Sequence, residues 1–391
     1  MKLQFEIPRI NLEDVFACAQ CGYCVVQCPV YSVIGWESYS PRGRLFLFKK
    51  LGLKNPATPR FDPKRIDLVK QFADRLYNCS LCGRCKTVCH LNLDLLELWE
   101  NIRRVIAELG YAPEVVYQLE NSILEHKNIY AMDNTMRGDW ILYTGAEVPT
   151  KEKARVVYFT GCVTAFSGRV QGVAYAISAI LNHVGEDWTV LPDEWCCGHP
   201  LLLGGAIKRY REVAERNVAE IERIGAEIVV TGCPGCYLAL KKEYPKILGR
   251  KPRFKVYHAT ELIAEYIAQG KLEVPKNGFR LAYHDPCELG RIAGIIEVPR
   301  QIISAVGELL EPREAGIHTR CCGGGGLLKA VKPELSAKLA EVRVNQLLNL
   351  KPNAIVTACP SCELNLREPE ASKKIRILDV AELIAETLGL I

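Results

Sequence analysis

From Leu93 to Gly110, apolar residues recur every three or four positions: Leu95, Leu98, Trp99, Ile102, Val105, Ile106 and Leu109. That spacing predicts an amphipathic helix that stops at Gly110. Upstream, helical patterning lies on both sides of a Pro-rich, basic loop, "KKLGLKNPATPRFDPKR", which is read as a solvated surface. After residue 150 the pattern changes. Short β-branched runs such as "RVVYFTG" and "EIVVTG" alternate with longer helical stretches such as "GRVQGVAYAISAILNHVG", with the short strand "TVLP" between them. Strands alternating with helices predict an α/β unit.

The unit occurs twice. "RVVYFTGC" is matched by "RLAYHDPC", "AEIVVTGCPGC" by "PNAIVTACPSC", and "ELIAE" closes each copy. Cys162, Cys196, Cys197, Cys233 and Cys236 return 125 or 126 residues later as Cys287, Cys321, Cys322, Cys359 and Cys362. The duplication sets the domain count. A helical domain spans 1–110, a linker 111–150, and two Rossmann-like modules related by a pseudo-two-fold span 151–275 and 276–391. In each module a strand runs into the first cysteine, and another into Cys-Pro-x-Cys, whose proline suits the first turn of a helix. The cysteines therefore fall at strand ends and helix starts, where open α/β sheets bind ligands and helix N-termini favour anions.

The helical domain carries its own cysteines. "CAQCGYCVVQCP" holds Cys18, Cys21, Cys24 and Cys28, and "CSLCGRCKTVCH" holds Cys79, Cys82, Cys85 and Cys89. Both have the C-x2-C-x2-C-x3-C spacing of two-cluster ferredoxins, in which the fourth cysteine of each run serves the other cluster. Cys18, Cys21, Cys24 and Cys89 are thus assigned to one cubane [4Fe–4S] cluster, and Cys79, Cys82, Cys85 and Cys28 to a second. Zinc sites also use paired cysteines, but two tight four-cysteine runs weigh against them. The runs stand fifty residues apart, more than a compact ferredoxin needs.

Eighteen cysteines in 391 residues point to metal binding in an intracellular protein rather than to a disulfide scaffold. No apolar run is long enough to span a membrane, and the start, "MKLQFEIPRINLED", is neither a signal nor a transit peptide. A cytoplasmic protein is expected, peripheral to the inner membrane face if a partner holds it there. The formal charge of +5 counts every thiol as neutral. Metal-bound thiolates would turn it negative, so nucleic acid is discarded as a partner.

In "HTRCCGGGGLLK" two adjacent cysteines precede four glycines. Neighbouring Cα atoms lie about 3.8 Å apart, too close for an ordinary disulfide. Two neighbouring thiolates are expected to serve different irons of one cluster, with the glycine backbone closing over its sulfides. Five ligands per module is also one more than a zinc or a cubane needs.

Each copy resembles the cysteine-rich "CCG" domain of heterodisulfide reductases. Both copies set thirty-three residues between first cysteine and pair, then thirty-five or thirty-six before the final C-x2-C. "YHDPCELGR" and "CCGGGG" are similar to that family's most recognisable strings. "GWESYSPRGR", from Gly35 to Arg44, looks like the segment after the first ferredoxin run in heterodisulfide reductase and glycolate oxidase iron–sulfur subunits. The resemblance covers essentially the whole chain, in the order ferredoxin, linker, CCG, CCG, as in the fused catalytic subunit of membrane-bound heterodisulfide reductases. It implies that each five-cysteine set holds a noncubane [4Fe–4S] cluster and is catalytic. The substrate disulfide would lie between the two, fed by the ferredoxin clusters.

Three functions follow. One is a heterodisulfide reductase-like subunit acting on a small thiol or disulfide with a cytochrome b-type membrane partner. The alternative is an electron relay for a flavin-linked glycolate or D-lactate dehydrogenase, partnered by a flavoprotein. The third is a zinc or thiol scaffold, which complete five-cysteine sets disfavour. His199 and His284 are candidates to protonate a departing thiolate, though packing or hydrogen bonding beside a cluster is favoured for both. Arg291, Arg320 and Lys329 stand near ligands and would bind an anionic substrate or offset cluster charge. His90 is placed to tune a cubane by hydrogen bonding.

Overall fold

The computed structural model describes residues 12–51 and 65–391. The first eleven residues and the middle of the Pro-rich basic loop, 52–64, lie outside the described residues. One compact unit takes the chain up to 120 together with 200–207 and 323–339. The other takes 121–199, 208–322 and 340–391.

In the first unit the predicted helix forms over Leu95–Glu108, with Asp94 accepting a hydrogen bond from the Glu97 amide at 3.1 Å. Gly110 follows with φ of +79°, the left-handed conformation that glycine adopts readily. The apolar face, Leu95, Leu98, Trp99, Ile102, Val105 and Ile106, is buried against Val69, Phe72, Leu76 and Tyr77 of the helix Ile66–Tyr77. A third helix, Pro41–Lys50, begins at Ser40, whose Oγ accepts from the Gly43 amide at 3.1 Å. Helices thus flank the basic loop as predicted.

Two short segments that follow the adjacent-cysteine pairs belong to this unit. The Tyr77 hydroxyl donates to the Gly204 carbonyl at 2.9 Å. Gly323 has φ of +89°, and a Cβ there would stand 2.9 Å from the Ser336 carbonyl. Gly326 has φ of +65°, and its Cβ would stand 2.2 Å from the Ser80 carbonyl group. Protein neighbours therefore demand these two glycines, where the sequence predicts a glycine backbone closing over a cluster.

The second unit holds two parallel sheets. Strands β1 (Val156–Tyr158), β2 (Trp188–Val190), β3 (Ile228–Thr231) and β4 (Lys255–His258) are ordered β2-β1-β3-β4. Strands β5 (Arg280–His284), β6 (Glu308–Leu310), β7 (Ala354–Thr357) and β8 (Arg376–Asp379) repeat that order as β6-β5-β7-β8. The registers repeat too: Tyr158 pairs with Val230 in one sheet, and Tyr283 with Val356 in the other. The duplication read from the cysteines is a duplication of fold.

The modules share a core. Helix Gly172–His183 packs on Val380–Thr387 of the other copy, and Ala259–Ala268 packs on Glu297–Val306. Val173, Ile177, Leu262, Ile263, Ile302, Ile303, Leu383 and Ile384 fill this layer. The helix after Cys162 is shorter than its apolar pattern predicts, because the chain between Phe166 and Gly172 turns instead. Residues 111–150, read as a linker, contain the helices Glu114–His126 and Asp139–Thr144.

Gly326→Ala forces both a left-handed side chain and a clash with the Ser80 backbone. It is expected to cost roughly 1–3 kcal/mol and to lower the thermal unfolding midpoint by several degrees under anaerobic conditions. Gly168→Ala, with open space around the added methyl, should leave the midpoint unchanged.

Candidate metal centres

Each ferredoxin run folds as a short turn of helix behind a left-handed glycine. Gly22 (φ +88°) precedes Tyr23–Val26, and Gly83 (φ +73°) precedes Arg84–Thr87. The two runs come together crosswise. Cys18, Cys21, Cys24 and Cys89 line one cradle with Arg42, His90 and Leu91. Cys28, Cys79, Cys82 and Cys85 line another with Arg44, Ser80 and Trp99. Cys21 is exposed, whereas Cys28 and Cys82 are buried. His90 sits against the first set, with Nδ1 3.6 Å from Cys21 Sγ and its ring edge-on to Tyr23.

Around the second cradle stand two arginines that sequence reading missed. Arg103, fully buried, donates to the carbonyls of Leu76 (3.2 Å), Cys79 (2.8 Å), Leu203 (3.2 Å) and Gly326 (2.9 Å). Arg44, also buried, donates to the carbonyls of Arg75 (2.7 Å) and Asn78 (3.1 Å). Among the described residues neither forms an ion pair. A buried cation without a counter-charge is costly, and an anionic cluster at these cysteines would supply one. Burial pushes the Cys28 thiol up to about 11, with Arg44 pulling the other way. The signal was present in the sequence: Arg103 interrupts the apolar stripe Trp99, Ile102 and Ile106.

In the second unit the first five-cysteine set forms one run of sulfur contacts, in the order Cys162, Cys196, Cys197, Cys236, Cys233. In the second set Cys287 Sγ lies 3.9 Å from Cys321 Sγ, and Cys362 joins Cys322 to Cys359. All ten are buried except Cys233, which is partly so. As predicted, Cys233 and Cys359 cap short helices that begin at Pro234 and Pro360.

A buried ion pair stands beside the first cysteine of each set. Arg137 meets Glu194 at 2.8 Å, and its other terminal nitrogen lies 3.7 Å from Cys162 Sγ. The Glu194 carboxylate accepts from the Thr160 and Gly161 amides at 2.8 and 2.9 Å. In the other module Arg300 grips Asp285 at 2.7 and 3.0 Å, and Asp285 also accepts from the Gly316 amide. Hydrogen bonding to Cys196, then burial, pushes the Cys162 thiol well above its ordinary range, and Arg137 opposes this. Ligation needs thiolates, so that guanidinium favours the liganding form.

Residues flanking the two sets meet across the modules. His199 Nε2 lies 3.1 Å from the carboxylate of Glu288, the residue after Cys287. Gly235 leaves room for this pair, since a Cβ there would stand 3.0 Å from the His199 ring. A hydrogen bond from Cys362 favours the Cys359 thiolate, but burial and charge on Cys233 and Glu288 push that thiol up. His284 is fully buried on β5 and is bonded through Nδ1 to Arg343 at 3.0 Å. Of the candidate cations, Arg291 donates to the Ile317 and Thr319 carbonyls and Arg320 meets Glu314 at 3.5 Å. Lys329 lies in the first unit, in the helix Leu328–Val331.

Two four-sulfur and two five-sulfur sets, with buried cations to balance them, suit soft iron–sulfur centres. They define an iron–sulfur oxidoreductase subunit. Residues 156–241 and 281–367 match the cysteine-rich domain family CCG, and 14–93 match the 4Fe–4S dicluster domain family. A subunit of the dihydromethanophenazine:CoB–CoM heterodisulfide reductase of Methanosarcina acetivorans is 34% identical over 98% of this chain and 96% of its own length. A subunit of the CoM/CoB fumarate reductase of Methanothermobacter marburgensis is 28% identical over 97% of this chain and 74% of its own. The EtfAB:quinone oxidoreductase of Syntrophomonas wolfei is 26% identical over 96% of this chain and 58% of its own. The chain belongs to the family of that heterodisulfide reductase subunit, with a 4Fe–4S dicluster domain followed by two cysteine-rich CCG domains. Among the described residues no helix is long and apolar enough to cross a membrane.

Arg103→Met strands four backbone carbonyls and removes a buried charge, at roughly 1–3 kcal/mol for each acceptor left without a partner. The purified variant is expected to lose about one ferredoxin-domain cluster's iron and sulfide. Arg103→Lys should lose less, and anaerobic metal analysis reads the difference.

Proposed function

We propose that the chain reduces, or in reverse forms, the disulfide between two different small thiols at the seam between its five-cysteine sets. The observation that carries this reading is the approach of two complete sets: Glu288, the residue after Cys287, lies 3.1 Å from His199, two residues after Cys197. A disulfide has two sulfurs, and its reduction breaks one S–S bond with two electrons and two protons, giving two thiols. Bound iron–sulfur clusters supply electrons singly, so two facing centres suit the stoichiometry. The names of the heterodisulfide reductase relatives, which match over nearly the whole chain, support a heterodisulfide as the substrate class.

In this reading Cys162, Cys196, Cys197, Cys233 and Cys236 hold one noncubane centre. Cys287, Cys321, Cys322, Cys359 and Cys362 hold the other. Arg137, fixed by the buried Glu194 and 3.7 Å from Cys162 Sγ, stabilises the negative sulfur there. The shared apolar helix layer holds the modules in register. Cys18, Cys21, Cys24 and Cys89 hold the outer cubane, and its exposed Cys21 marks where electrons enter from a partner such as a cytochrome b-type membrane protein. Cys79, Cys82, Cys85 and Cys28 hold the inner one.

Electron paramagnetic resonance of the oxidised, anaerobically purified protein tests this. A paramagnetic signal that appears only on adding a small thiol is expected, and it should be lost in Cys233→Ser or Cys359→Ser. If no thiol perturbs the oxidised protein while the ferredoxin-like signals titrate normally, the relay reading replaces this one. The partner is then a flavoprotein dehydrogenase.

A further inference from the structure

The two modules differ where a strand meets its cysteine set. Phe159 follows β1, and its repeat equivalent 125 residues on, His284, ends β5. His284 is fully buried, and a ring nitrogen lies with Cys322 Sγ and Cys362 Sγ in a group whose atoms are all within 4.8 Å of one another. Its two nitrogens have different fates. Nδ1 meets Arg343 Nε at 3.0 Å. Guanidinium has donors and no acceptor, so Nδ1 must be the acceptor and the ring proton must sit on Nε2. Nε2 is buried and has no hydrogen-bond partner among the described protein atoms.

Arg343 is itself fixed. Its terminal nitrogens reach the Glu314 carbonyl at 3.1 Å, Gln346 Oε1 at 3.2 Å and Thr319 Oγ1 at 3.4 Å. Burial, opposed by Asp285, pushes it down to about 10, so it stays a donor at neutral pH. With Nδ1 accepting from Arg343 and Nε2 carrying the ring proton, the imidazole is neutral. The strand also fixes the ring, because His284 pairs with Thr357 of β7 and its carbonyl accepts from Thr357 Oγ1 at 3.1 Å.

We propose that His284, locked by Arg343 as the Nε2-protonated tautomer, donates this N–H to a sulfur of the second five-cysteine centre and makes that centre easier to reduce than the first. Hydrogen bonds to cluster sulfurs stabilise the more negative, reduced state. Phe159 offers the first centre no such donor. The two centres, alike in ligands, thereby differ in potential, and an electron arriving between them settles on the second. The locked tautomer also removes His284 from the list of proton donors. The inference rests on the five-cysteine sets holding iron–sulfur centres, and it does not need the disulfide chemistry.

The test is a redox titration of the complete protein by electron paramagnetic resonance, with iron and sulfide measured on each sample. His284→Phe makes the second site like the first. Its oxidised-to-reduced ratio at a fixed potential should rise about tenfold, which is ~59 mV for a one-electron couple. The cubane midpoints should stay in place. Arg343→Met, which frees Nδ1 and with it the tautomer, should move the same midpoint in the same direction by less. It carries the test if His284→Phe fails to assemble the centre. Labelling histidine with 15N should reveal a weak nitrogen coupling that His284→Phe abolishes. Unmoved midpoints with full iron content overturn the inference, as does a coupling of the size expected for a nitrogen bound directly to iron. A shifted midpoint in a protein that ignores every thiol leaves this inference standing and removes the disulfide reading alone.

Discussion

Gathering negative sulfur in a low-dielectric interior is the constraint on which the rest of the structure depends. Thiolates repel one another and are costly to bury, yet each set here brings four or five together. Fixed positive charge and fixed N–H groups are placed against them. Arg44 and Arg103 stand at the set Cys28, Cys79, Cys82 and Cys85 and donate to backbone carbonyls. Arg137 stands 3.7 Å from Cys162, held by the buried Glu194, and Arg300 holds Asp285, two residues before Cys287. Each guanidinium is held by buried acceptors, and Arg137 reaches a cysteine sulfur directly.

That requirement explains features that packing alone would not. Leu95–Glu108 has an ordinary apolar face except for Arg103, which the helix buries to reach Cys79, Leu203 and Gly326 at once. The segments after both adjacent-cysteine pairs, 200–207 and 323–339, join the ferredoxin unit. Within that unit these segments pack beside the set Cys28, Cys79, Cys82 and Cys85, through Arg103 to Leu203 and Gly326. In the second copy this anchoring needs Gly323 and Gly326, because the Ser336 and Ser80 backbones leave no room for a side chain.

Duplication supplies the other half of the design. Two copies of one parallel sheet bring two like cysteine sets into one unit, and exchanged helix packing between copies fixes their register. Symmetry of ligands leaves room for asymmetry of surroundings. Glu194 binds the Thr160 and Gly161 amides in one copy, while Asp285, in the place of Thr160, binds Arg300 in the other. Phe159 and His284 differ in the same way. Such substitutions leave the sheet intact because both side chains fill the space at a strand end, and they change only which polar groups stand there.

The sequence by itself determined the sulfur inventory, its division into two runs and two repeats, the α/β alternation and the helix that ends at Gly110. These are local or periodic properties, written in spacing and in the conformational limits of Gly and Pro. The spacing of each run, that of two-cluster ferredoxins, also implied that its fourth cysteine would cross to the other run. Only the tertiary structure decided what surrounds each sulfur. Arg103, Glu288 and Arg343 are remote in sequence from most of what they touch, and long-range contacts leave no periodic trace. The same holds for the glycines of "CCGGGG". Composition marked them as a place of close approach, and the fold decided that what approaches is Ser80 and Ser336.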